Sequence, residues 1–144
     1  MATLEQIDRA LKGKIRGKAA AISLFYDDIP ESYQGKKIDP CGIVRHAMDL
    51  NERVYVDRQH QDCISGAYTA GFHEGSEETR TGLYIYDHIK AYTREAAARI
   101  KSGINVLPQG MIRGIGAAPV DDVPEGVKVD WICVVTSPYW AGFI

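Results

Sequence analysis

The sequence predicts a single layered domain of α/β or α+β class, with a short mixed sheet of about four strands packed against three to four helices. Three observations carry this. The chain has 144 residues, 45% of them hydrophobic and 25% charged, enough for one domain with its own core. Helix-period apolar spacing and short β-branched runs follow one another along the chain. No repeat or low-complexity segment interrupts them, so residues 1–144 read as one domain, or as an incomplete or subunit form of a longer one.

Each element has its own signal. Leu4, Ile7, Leu11 and Ile15 fall three or four apart and predict a helix ending near Gly17. The apolar run AAAISLFYD, residues 19–27, predicts a buried strand, and the Pro-, Ser- and Gly-rich DIPESYQGKKIDP a loop. Asp39-Pro40 then reads as a helix cap followed by proline at the first helical position, with the helix running through CGIVRHAMDL. RVYVDR alternates as a strand does. Asp62 is placed to cap a short helix beginning at Cys63 and containing Gly66, Ala67, Ala70 and Gly71. One long helix is expected from SEETRTGLYIYDHIKAYTREAAARIKSG, strongest from Tyr86 to Lys101, with Ile85, Ile89, Tyr92, Ala96 and Ile100 on its apolar face. MIRGIGAAPV and VDWICVVTSP predict two further strands around the turn-rich DDVPEG.

Several function classes recede at once. The formal net charge is −2 without a basic stripe, which argues against nucleic acid as a partner. The longest uncharged runs are about a dozen residues, too short to span a bilayer. The N-terminus MATLEQIDRALKGK carries charges where a signal peptide needs an apolar core, so a cytoplasmic location is expected. Three cysteines in a reducing compartment do not suggest a disulfide framework. Gly114-x-Gly116 is followed by proline and acidic residues rather than a helix, so it reads as strand or bulge and not as a dinucleotide fingerprint.

What remains is thiol chemistry. Cys41 and Cys63 each fall in the first turn of an expected helix, just after an aspartate. The helix dipole there favours a thiolate and the aspartate opposes it. Thiolate and imidazole ligands suit zinc or iron, and His60-x-x-Cys63 is a feasible local chelate, with His73 a further ligand candidate. Arg45, one turn after Cys41, is placed to stabilise a thiolate or an anionic ligand. The bland alternative is that both cysteines are small core side chains. For Cys133, inside the apolar WICVVT, core packing is the expectation. His46 and His88 read as surface or half-buried histidines, and Tyr68, Tyr84 and Tyr86 as core or rim residues that could line a pocket. Tyr139, Trp140, Phe143 and Ile144 give the chain an apolar end that calls for a cover.

The stretch DPCGIVRHAMDLNERVYVDRQHQDCISGAYTAGF resembles the central motif of domain-of-unknown-function family 169, a group of uncharacterised archaeal and bacterial proteins. A cysteine, a helix, a short strand and a second cysteine followed by small residues, an aromatic and glycine come in the same order. VDWICVVTSPYWAGFI is similar to the family's later strand, and the resemblance covers residues 19–142. It implies a cytoplasmic prokaryotic protein and a shared site at Cys41, Cys63, Gly66 and Gly71. Relatives commonly continue beyond the last segment, so the chain resembles a short or C-terminally truncated member, one that works as a homo-oligomer or is completed by a second chain.

Three functions are consistent with these residues. The first is a metal or iron–sulfur protein, or one with redox-active thiols, using Cys41 and Cys63 with His60 or His73. The second is a non-enzymatic oligomerising or accessory subunit whose interface includes Tyr139, Trp140, Phe143 and Ile144. The third is a thiol-dependent enzyme with Cys63 as nucleophile and His60 or His73 as base.

Overall fold

A computed structural model describes residues 3–14, 17–40, 42–90 and 93–137. Among them are five strands and six α-helices of an α+β fold. Helix α1, Leu4–Lys14, precedes the long strand β1, Gly17–Phe25. A two-residue strand β2, Gln34–Gly35, leads to α2, Gly42–Arg45, which widens into a π-helical turn, His46–Leu50. Strand β3, Val54–Asp57, is followed by α3, Ile64–Thr69, then α4, Glu77–Thr81, α5, Leu83–Ile89, and α6, Arg94–Ser102. Strand β4, Gly114–Pro119, and β5, Trp131–Thr136, complete the sheet.

The strand order is β2-β3-β4-β1-β5. β1 runs antiparallel to β4 and to β5, β3 antiparallel to β4, and β2 parallel to β3. Period-2 alternation assigns the faces. Ala20, Ile22, Val54, Val56 and Ala117 meet Ile43 and Ala47 of the α2 region and Ala67 of α3 in the main core, with Ala70 and Phe72 beside them. Val54 and Val56 are fully buried, each contributing about 1.5–3 kcal/mol. Phe25, Tyr33 and Ala118 form a smaller cluster on the opposite face, where Phe25 and Tyr33 meet edge to face at 5.2 Å. Gly116 makes this possible: a Cβ there would fall 2.6 Å from the Phe25 ring. The G-x-G of β4 is therefore a packing feature of a strand.

Two expectations about the elements are corrected. The loop of residues 28–40 contains β2 and an isolated bridge from Ile38 to Gln61, so there are five strands rather than about four. Two residues carry no alternation to read. The long helix is three shorter ones. Gly82 (φ 87°) ends α4 and opens α5, and Lys90 (φ 60°) ends α5 in the left-handed region. Thr93 then caps α6, its Oγ1 accepting from Ala96 N–H at 3.1 Å. Because the breaks reset the helical phase, the expected apolar face fails in α6: Ile100 is 53% exposed, whereas Ala97 and Lys101 are buried. Tyr92 lies outside the described residues.

Candidate functional site

Asp39 Oδ1 accepts from Gly42 N–H at 2.8 Å, a bond of the capping kind, and α2 itself begins at Gly42 rather than at the expected Pro40. Cys41 lies outside the described residues, between Pro40 and Gly42. Twenty residues on, the chain passes beside the same place. Ile38 pairs with Gln61 in a parallel bridge, and Asp62 N–H donates to Ile38 O at 3.2 Å. This pairing holds residues 61–62 extended, so α3 starts one residue later than expected. Cys63, not Asp62, is the N-cap (φ −99°, ψ 106°), and its Sγ accepts from Gly66 N–H at 3.3 Å. Asp62 is exposed, with Lys37 Nζ 3.9 Å from its Oδ1.

Gly66 closes the junction. A Cβ on it would lie 2.7 Å from Pro40 Cγ and 3.5 Å from Cys63 Sγ. The residue before Cys41 thus packs on the third residue after Cys63, and only glycine permits that approach. Cys63 is a half-buried free thiol. Gly71, also in the shared motif, has φ 73°, and a Cβ would fall 2.5 Å from Pro108 O. Its role is backbone geometry.

The other candidates are placed as follows. Asp57 Oδ1 accepts from the backbone N–H groups of Gln59 and His60 and faces His60 Nδ1 at 3.0 Å. The His60 ring stands edge-on to Tyr55 and packs over Gly35, where a Cβ would lie 3.0 Å from its Nε2. His73 Nε2 lies 3.3 Å from Gln61 Nε2. Arg45 is exposed, its Nε 3.9 Å from Asp49 Oδ2 on the next helical turn. Among the described residues no group of three or more His, Cys, Asp or Glu side chains gathers to hold an ion.

His46 is half-buried against Glu52 at 2.9 Å, and this hydrogen bond lowers the Glu52 pKa. His88 is exposed and tilted on Tyr84, with ring centroids 4.5 Å apart. Arg94 lies over the Tyr86 ring, and Tyr68 belongs to a different cleft. Cys133 pairs with Ala20 across the sheet and packs against the main core, as its apolar strand predicts. Tyr139, Trp140, Phe143 and Ile144 lie outside the described residues. No described helix is long and apolar enough to cross a membrane.

Two features of the junction escape sequence reading. The Ile38–Gln61 bridge has no periodic signal, and the Pro40–Gly66 contact is visible only once both segments are placed. Gly66 itself is a signal: a glycine inside a helix weakens it and asks for a reason.

The chain belongs to domain-of-unknown-function family 169 (DUF169, uncharacterised ArCR), whose model matches residues 12–141. No curated protein and no solved structure matches it.

Proposed function

We propose that this DUF169 protein uses Cys41 and Cys63 together as a two-thiol centre that holds a metal ion or iron–sulfur cluster. The observation that carries the reading is the junction: the Ile38–Gln61 bridge and the Pro40–Gly66 contact pin the two cysteine-bearing segments side by side. Soft thiolates select zinc, iron and iron–sulfur clusters over hard cations. The Gly66 N–H, already donating to Cys63 Sγ, would go on donating to a metal-bound sulfur and offset part of its charge.

Two thiolates are half of a four-ligand set. A second copy of the chain or a partner subunit supplies the remainder, and the apolar end at Tyr139, Trp140, Phe143 and Ile144 is the surface proposed for that contact. In a cytoplasmic setting the thiols stay reduced and available.

The test is metal analysis with an absorption spectrum on protein purified anaerobically. Bound iron or zinc, lost in both Cys41→Ser and Cys63→Ser while the variants stay folded, is the expected result. Metal-free wild-type protein, or metal that survives both substitutions, would overturn the reading.

A further inference from the structure

At the opposite end of α3 from Cys63 lies an open cleft of about 300 Å³ between α3, α4 and the segment of residues 106–109. Its polar wall holds Arg80, Gln109, His73 and Glu74, and its apolar wall Tyr68 and Leu107. The Arg80 and Glu74 side chains make no hydrogen bond or ion pair within the described residues.

Behind Tyr68 sits the most unusual charge in the molecule. Lys101 is only 7% exposed. Its Nζ lies 4.6 Å from the Tyr68 ring centroid, and no carboxylate among the described residues is within ion-pair distance. An ammonium whose protein partner among the described residues is a ring face, with no carboxylate beside it, is short of countercharge. Local packing fixes the arrangement. A Cβ on Gly75 would fall 2.5 Å from the Tyr68 ring, and one on Gly82 3.0 Å from Lys101 Cβ. The cleft therefore has an unpaired guanidinium on its wall and an uncompensated ammonium one ring away.

We propose that this cleft binds a small organic monocarboxylate with an apolar body. The carboxylate meets Arg80, whose planar fork suits it, with Gln109 as a neutral donor. The body lies on Tyr68 and Leu107. Glu74 sets the charge of the ligand: it tolerates a monoanion beside Arg80 and repels a dianion such as a phosphate ester. Lys101 touches no ligand and acts through the field it adds across the Tyr68 ring. This site is independent of the two-thiol centre and stands or falls without it.

The experiment is a titration of the full chain with benzoate as the probe, followed by backbone amide NMR, with benzyl alcohol and phenyl phosphate as comparisons. Saturable benzoate shifts are expected in the backbone around residues 68–80 and 106–110, with neither comparison compound matching them. Arg80→Gln should weaken benzoate about tenfold or more, the worth of one charge-assisted hydrogen bond. Glu74→Gln should tighten benzoate and admit phenyl phosphate, a gain that no purely structural role produces. Lys101→Met should weaken benzoate; if that variant fails to fold, the two exposed positions decide alone. Equal binding of benzyl alcohol, benzoate affinity indifferent to Arg80→Gln, or no saturable shift would overturn the proposal.

Discussion

Replacing Gly66 by alanine sets two effects of opposite sign against each other. Inside a helix, glycine to alanine ordinarily stabilises by about 0.5–1 kcal/mol. At Gly66 the new Cβ would meet Pro40 Cγ at 2.7 Å and Cδ at 2.9 Å. Side-chain carbons do not approach that closely, and a proline ring cannot rotate out of the way. The segments must part, and overpacking of this kind costs about 1–3 kcal/mol. The expected net loss is about 1–2 kcal/mol, or a fall of about 0.5–1 M in the urea midpoint at the slope usual for small domains. Gly42→Ala is the matched control from the same junction. Its Cβ would meet nothing nearer than 3.4 Å, so helix propensity should win and stability should rise by up to about 1 kcal/mol. Gly66→Ala as stable as wild type, with an unchanged slope, would refute the close approach of the two segments.

Other substitutions test the remaining parts. Cys63→Ser should leave stability within about 1 kcal/mol of wild type in thermal unfolding, because serine is a good N-cap and its Oγ can accept from Gly66 N–H as Sγ does. Lys90→Gly should raise stability by up to about 1 kcal/mol by relieving a left-handed lysine at φ 60°. Arg53→Lys should cost up to about 1 kcal/mol, since one ammonium cannot replace the two-armed bond of Arg53 to Asp122, which is partly solvated. Asp130 is the acid-sensitive group to test. Burial raises its pKa, but Lys128 and the Leu24 N–H outweigh that, and the net shift is downward. A lowered folded pKa gives stability that is full above the unfolded value of about 3.9 and lost as pH falls through the folded one. The stability difference between wild type and Asp130→Asn should therefore be greatest near neutral pH and shrink in acid.

The elements with strong periodicity were the legible ones. Strand β3 follows from the alternation of RVYVDR, because burying one face forces it, and β1, β4 and β5 follow from their apolar runs. The break at Lys90 was not legible, since lysine is a good helix former and only tertiary packing places it in the left-handed region. That one break moved Ile100 to solvent and Lys101 inward. At the candidate site, the Asp39 bond ahead of α2 is readable from its cap chemistry, and the helix start at Gly42 is not. Cys63 stands at the cap rather than in the first turn because residues 61–62 are held extended by a distant partner, Ile38, which local cap chemistry does not reveal. His60 illustrates the same limit: its neighbour in sequence is Cys63, but its Nδ1 faces Asp57.

The proposed pairing of Cys41 with Cys63 is tested most directly by titrating the reduced protein with a trivalent arylarsenical, which bridges two neighbouring thiols. One arsenical should bind tightly per chain, with binding abolished by Cys41→Ser or by Cys63→Ser and unaffected by Cys133→Ser. Tight binding that survives loss of Cys41 or of Cys63, or no tight binding by the wild-type chain, would contradict the account.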